Sequence, residues 1–327
     1  MMVVVSRHFL QIFGLLLVFA TFPSVAPACI WVDGSTIDGH SKRYNGMTHL
    51  ELLWLAMKQT PGDKLGSLKS TLPHDGGAAD REKEAVKKML SGEAAVAIPL
   101  LLKNEQELPG NYSTAANLGT AYELAGDNRN ALKWINEGIL RNAKSHEGTE
   151  WLHALVLETK LRLEQDPDYL KTHRIIPLPE KFNAKTEIDV GGAKRSLGEI
   201  VWALNYQLRE RTVFVKPPDP IVADLLFTYA IGEAHTAVLE GAIKLLDKSQ
   251  EYGFQDLGLI EATKKRYQAI VENTGRKREV WKFLKRAGIV LIIFGVPVGI
   301  YYWCRRNWFS PARVSNRSRV EAAKDPY

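Results

Sequence analysis

The chain has 327 residues, room for roughly two domains, and at 45% hydrophobic and 24% charged it has the composition of an ordinary globular protein. The formal charge of +6 sits at one end: twelve Lys/Arg against three Asp/Glu lie from Gly275 onward, whereas residues 29–274 hold thirty Lys/Arg against thirty-four Asp/Glu. A mildly acidic body is a poor binder of phosphate and argues against nucleic acid as a partner, and basic residues beside an apolar run read as membrane flanks.

Residues 1–28 have the design of a secretory signal peptide: Arg7 and His8, an apolar core from Phe9 to Ala20, then Ala26-Pro27-Ala28 before Cys29. Two other readings stand beside it, an uncleaved anchor and a lipoprotein signal that acylates Cys29. The second and last cysteine, Cys304, lies far along the chain, so the exported body holds no internal disulfide and depends on packing. Residues 29–77 read as a loop, Cys29 to Tyr44, then a short helix. Thr48-x-x-Glu51 is a capping box that opens that helix, Leu50, Leu53, Trp54 and Met57 are its apolar stripe, and a Gly/Pro-rich linker runs from Pro61 to Gly77.

The next stretch repeats. "MLSGEAAVAIPLL", from Met89, aligns without a gap on "ELAGDNRNALKWI", from Glu123, and Gly92 and Ala97 stand 34 residues before Gly126 and Ala131. Each copy has an apolar helix end, a Gly turn, polar residues, an Ala and an apolar face. Two antiparallel helices approach closely only where side chains are small, which suits Gly119 and Ala131. Tyr122, Trp134 and Ile135 would fill the space between hairpins, and Gly126 permits the left-handed turn at a helix end. A lone hairpin cannot bury both faces, so neighbours must stack. With Tyr112 taken as the first residue of a unit, Leu118, Gly119, Tyr122, Ala131, Ile135 and Gly138 fall on the positions that define the tetratricopeptide repeat, and the chain resembles that family over roughly 120 residues. A unit at 78–111 keeps Ala85, Ala97, Leu101 and Pro109, with Lys88 where an aromatic is preferred. A third starts near His146 and loses the pattern in its second half, and a fourth starts near Ala223 with Ala230, Ala242, Leu246 and Ser249.

The resemblance implies an all-α fold, a right-handed superhelical solenoid of degenerate repeats over 78–165 and again in helical hairpins over 219–274. It also implies that the first helix of each unit lines a concave groove for proteins or peptides. Asn117, Thr120 and Glu123 would face that groove from one unit, and Glu150, Ala154 and Glu158 from the next. Binders of peptide carboxylates in this family place Lys and Arg beside an Asn in the groove; Asn117 has no such companion in the frame.

Residues 166–218 form an irregular insert: extended chain broken by prolines, a short strand near Thr186 to Val190, then a helix capped by Ser196-x-x-Glu199 and running to about Arg211. Asp219-Pro220 starts the next helix as cap and first-turn proline. Helices continue to about Asn273, and Gly275 is expected to separate the body from the apolar segment. That segment, residues 287–304, "AGIVLIIFGVPVGIYYWC", carries no charge. It would rise about 27 Å as a helix, near the thickness of a bilayer core, and Tyr301, Tyr302 and Trp303 would form an interfacial belt. Pro297 is a candidate kink. Six Lys/Arg precede the segment and six come after it, so charge alone leaves orientation tied. The signal peptide breaks the tie: the body is extracytoplasmic (periplasmic) and the basic tail, 305–327, cytoplasmic.

Catalytic patterns are absent. No G-x-S-x-G, Walker A, H-E-x-x-H or C-x-x-C occurs. "DVGGAKRS" lacks the Lys-Ser/Thr ending of a phosphate loop and reads as a turn. His146 and His153, seven apart, would sit about 10 Å apart along a helix, too far to share one metal. The expectation is therefore a non-enzymatic scaffold or assembly protein of the cell envelope, without cofactor or metal. The alternative is an enzyme with its site in the 166–220 segment.

Overall fold

The computed structural model describes residues 31–45, 49–65 and 77–308. The signal-peptide reading, Cys29, Thr48 of the first capping box and the tail beyond residue 308 lie outside the described residues.

The segment expected to be a loop is a β-hairpin. Strands β1 (Trp31–Ser35) and β2 (Ser41–Asn45) pair antiparallel, with Asp33 opposite Arg43 and Ser35 opposite Ser41. The turn closes through Gly39, at φ 73°. Its anchor is distant in sequence: the Ser35 amide and hydroxyl donate to the two carboxylate oxygens of Glu240, at 2.8 and 2.9 Å. Composition read Gly, Asp and Ser as loop; a tertiary contact made them a strand edge. Helices α1 (His49–Lys58) and α2 (Pro61–Leu65) come after the hairpin.

Two helical hairpins come next: α3 (Ala78–Leu90) with α4 (Ala94–Glu107), then α5 (Tyr112–Leu124) with α6 (Asn128–Arg141). The starts of α3 and α5, and of α4 and α6, are 34 residues apart, so the sequence period is a structural period. Asn111 and Asp127 cap α5 and α6 by accepting from the amides of Ser113 and Asn130. Gly92 and Gly126 stand at φ 82° and 87° with open space where a Cβ would point; the backbone conformation alone calls for glycine there. Gly119 is small for a different reason. A Cβ on it would collide with the Ile135 side chain and come within 3.2 Å of the Ile135 amide nitrogen. Ala97, Leu118, Ala131 and Ile135 are fully buried along these contacts, and Tyr122 bridges the two small cores on either side of it. Gly119→Ala is expected to destabilise the fold by about 1–3 kcal/mol through overpacking, read as a lower thermal midpoint by circular dichroism. Gly92→Ala should also destabilise, but through backbone strain with no clash, and by less. An unchanged midpoint for Gly119→Ala would show that the hairpins can move apart freely.

A short turn of helix (Ser145–Gly148) leads to α7 (Glu150–Gln165) and α8 (Tyr169–Thr172). A second hairpin, β3 (Glu187–Val190) with β4 (Ala193–Ser196), lies where a short strand was expected. Then come α9 (Leu197–Phe214), with the full Ser196/Glu199 capping box, α10 (Pro220–Thr236), capped by Asp219, and α11 (Leu239–Glu251). Consecutive helices stack: α6 on α7, α7 on α9, α9 on α10, α10 on α11. The N-terminal α1 returns to cover α9, and β1 lies on α11 and on the last helix. The fold is thus all-α in its body, with stacked hairpins, and two short β-hairpins that the expected fold class did not include. Ala230, Ala242, Leu246 and Ser249, named from the repeat frame, are all fully buried.

The last helix, α12 (Leu257–Val290), runs through Gly275 without a break and continues through a single π-turn (Leu291–Gly295) into α13 (Val296–Trp308). The expectation of a separator at Gly275 is corrected. One glycine costs a helix interior about 1 kcal/mol, which the buried Thr274 before it and the helix-forming Arg276, Lys277, Arg278 and Glu279 after it offset. The π-turn lies immediately before Pro297, whose missing N–H breaks the regular ladder. From Leu257 to Arg306 this is a helix long and apolar enough to cross a membrane, and none of its apolar stretch is buried.

Candidate functional site

The six residues expected to line a groove lie on α5 and α7 but in different surroundings. Glu158 is exposed. Asn117 is half-buried and donates to the Glu82 carboxylate of α3 at 3.1 Å, tying neighbouring units. Thr120, also half-buried, donates to the Ala116 carbonyl of its own helix at 3.1 Å. The expectation of solvent exposure does not hold for Glu123 and Glu150, whose side chains are only 7% and 3% exposed; Ala154 is buried as well.

Those two glutamates organise a buried charge cluster. Glu123 lies at the end of α5, while Glu150, His153 and Lys160 project from one side of α7. Arg211 reaches in from α9, 88 positions away in sequence. His153 lies between the carboxylates, with Nε2 2.7 Å from Glu123 and Nδ1 3.2 Å from Glu150. A ring with an acceptor at each nitrogen is an imidazolium donating twice. Burial works against that charge, and the two carboxylates more than offset it, so the His153 pKa is raised. Glu123 accepts further from Arg211 at 2.6 Å and Lys160 at 2.7 Å. Burial pushes its carboxyl up, but Arg211, His153 and Lys160 together hold it well below the usual carboxylate range. Burial likewise opposes ionisation of Glu150, and bonds from His146 and His153 outweigh it, leaving the group at about 2. Two carboxylates therefore face His153, Arg211 and Lys160, and the cluster joins helices α5, α7 and α9.

His146 is the accessible edge of this cluster. Its Nδ1 bonds Glu150, and its side chain is 42% exposed. The ring lies 5.8 Å from Tyr112, edge-on, and 5.9 Å from Tyr206. His146 and Glu147 adopt φ of 46° and 57°, left-handed values uncommon for residues other than glycine. The turn is held by Thr149, whose hydroxyl donates to the His146 carbonyl at 2.6 Å, and by Gln207, which donates to the Thr149 hydroxyl at 3.0 Å. The sequence carried a signal for the local part of this arrangement: Glu150 comes four residues after His146 and three before His153, both same-face spacings on a helix. Nothing in the sequence pointed to Arg211.

Chemically the cluster holds charge in place. No group of three or more His, Cys, Asp or Glu able to hold a metal occurs among the described residues. In the irregular insert the polar contacts also fix the chain. Asp224 of α10 accepts from the Ile175 amide at 2.9 Å and from Arg174 at 3.3 Å, and the Arg174 guanidinium stacks 4.6 Å over Phe254. Arg195 lies 4.1 Å over the Trp151 ring. These contacts seat the insert on α7 and α10.

No protein-family model matches the chain, and no curated protein matches it. Among solved structures the chain is similar to the crystal structure of MamA, at 15% identity over 61% of this chain and 96% of that one; the TM-score of 0.28 is too low to carry an argument.

Proposed function

We propose that the chain is a scaffold of the cell envelope: an exported protein anchored by one membrane span at 287–304, whose body of degenerate tetratricopeptide repeats binds other proteins. The observation that carries this reading is the stacking of helical hairpins at a 34-residue spacing. Such arrays present one long, rigid surface made of the same helix from each unit. The buried ion cluster supports it, because it locks first helices of successive units to one another and to α9 and so keeps that surface in one shape. The apolar, unburied helix supports the anchor. The signal-peptide reading places the body in the periplasm and the basic tail in the cytoplasm. Asn117, Thr120 and Glu158 are the residues proposed to meet partners; Glu123 and Glu150 act beneath the surface as its fasteners.

Photo-crosslinking in intact membranes tests this. A photoreactive residue at Thr120 or Glu158 is expected to give discrete protein adducts, and one at Leu140, on the second helix of a unit and 81% exposed, is expected to give none. Equal labelling at the three positions, or no adduct at any, would remove the case for a binding face on the first helices.

A further inference from the structure

The stalk between the body and the apolar segment is built for a charged surface. Helix α12 is fastened to the body through buried Ile260, Tyr267 and Thr274, the Arg278 guanidinium donates to the Gly34 carbonyl at 3.4 Å, and Lys282, one turn on, still favours ionisation of Asp33 on β1. None of residues 279–306 is buried. Between Arg276 and Arg286 the helix carries Arg276, Lys277, Arg278, Lys282, Lys285 and Arg286 against a single acid, Glu279, which pairs with Lys282 at 2.8 Å. Arg276, Lys277, Lys285 and Arg286 make no salt bridge among the described residues. The same eleven residues expose Val280, Trp281, Phe283 and Leu284 at 58%, 68%, 70% and 55%.

Helical periodicity sorts these side chains. Val280, Trp281, Phe283 and Leu284 share one side of the helix, continuous with Ala287 and Leu291 of the apolar segment, and Arg278, Lys282, Lys285 and Arg286 share the other; Arg276 and Lys277 lie above the apolar side, at the end away from the apolar segment. Phe283 and Leu284 lie four and three residues before Ala287, a rise of about 5–6 Å, which falls within the interfacial zone that flanks a bilayer core, and Trp281 and Val280 stand at its outer edge. A purely solvated stalk gains nothing from four exposed large apolar side chains. A docking site for the body would have placed them against it. The positive-inside rule also runs against six cations on a translocated flank, unless something there neutralises them.

We propose that residues 276–286 are an interfacial segment that binds the phosphates of anionic phospholipids through Lys282, Lys285 and Arg286 while Trp281 and Phe283 sink among the head groups. Because α12 is one helix from its buried base to the apolar segment, this grip also fixes the body close to the outer membrane surface. The inference rests on the reading of 287–304 as a membrane span. Charge complementarity selects anionic lipid, and Lys and Arg stems can lie along the apolar face while their heads reach phosphate.

The test uses the full chain in nanodiscs of phosphatidylcholine, with and without phosphatidylglycerol, and residue-resolved acetylation of lysines by mass spectrometry. Lys282 and Lys285 are expected to react roughly threefold slower in the anionic discs, with the difference removed by high salt. Lys133 and Lys194, exposed on the body, should react alike in both. Equal rates for Lys282 and Lys285 in a protein that co-elutes with both kinds of disc would overturn the lipid grip and leave the span intact. Failure to co-elute with either kind would overturn the span and the proposal with it.

Discussion

Replacing Glu123 with Gln is expected to cost about 3–5 kcal/mol, because an isosteric change strips a buried cluster of one carboxylate and leaves Arg211, Lys160 and His153 facing each other. Shape is conserved, so the loss is electrostatic. The comparison is Glu107→Gln, which removes the ion pair that Arg81 makes with a side chain 48% exposed and should cost under about 1 kcal/mol. Unfolding of the two variants by denaturant separates these figures easily. The pH dependence gives a second readout. Glu123 has a folded pKa below its unfolded value, so its contribution is present above about 4.5 and is lost as pH falls toward the folded value. His153 has a raised folded pKa, so its contribution is complete below about 6.5 and is lost as pH rises through the folded value. The gap between wild type and Glu123→Gln should therefore be widest between those limits and narrow on the acid side. A gap under about 1 kcal/mol at pH 6 would mean that water reaches the cluster and screens it, and the fastening role would fall.

The contrast between that cluster and the repeat packing shows what a sequence of this kind discloses. Gly119, Leu118, Ala131 and Ile135 were legible because hairpin packing is local: the partners lie within one 34-residue unit, and a spacing pattern is enough to find them. The caps at Ser196 and Asp219 were legible for the same reason, since a cap and its helix are neighbours in the chain. The β1–β2 hairpin was not, because its anchor is Glu240, and no local alternation announced it. The break expected at Gly275 failed through an opposite error. A local signal, one glycine, is outweighed by the burial of Thr274 before it and by the good helix formers after it. For the candidate site the repeat frame put Asn117, Thr120, Glu123, Glu150 and Glu158 on the right helices but could not separate solvent-facing positions from those covered by α9. Arg211, on the helix of the insert 166–218, reaches Glu123 because the chain before that helix returns over α7, a path that no periodicity encodes. Residues placed by stacking could be read from one unit; residues placed by the insert needed the whole chain.

Glu233→Gln is expected to stabilise the protein at pH 8 by about 1–3 kcal/mol and to change little near pH 4. Glu233 projects from α10 into the junction with α11 and α1. Its residue is 8% exposed, and its carboxylate has no hydrogen bond or ion pair among the described residues. A Cβ on Gly241 of α11 would lie 3.2 Å from one of its oxygens and would also meet Leu50 of α1, so the acid is packed against apolar chain. Lys42 of β2 is the charge that favours ionisation, and its ammonium is engaged at 3.4 Å with the Thr236 carbonyl. Burial outweighs it and pushes the carboxyl up to about 7. Because this is an acid with a raised folded pKa, the folded protein binds the extra proton between about 4.5 and 7. Stability must fall as pH rises through that window, and the full cost is present above it. Gln reproduces the protonated side chain in shape and charge, so the variant should match wild type at low pH and gain on it above about 7. Tyr229, on the same helix, accepts from Asn205 at 3.0 Å, and Asn205 also holds the His49 carbonyl of α1 at 2.8 Å. The ionised carboxylate therefore lies close enough to this joint to act electrostatically on Tyr229. Thermal midpoints of wild type and variant at pH 4.5 and pH 8 decide the matter: a difference independent of pH would show that Glu233 is ionised at both, and that the joint carries a permanent charge. A gain confined to pH 8 would place a buried neutral acid beneath α1, with the seal of that helix loosening as the surroundings turn alkaline.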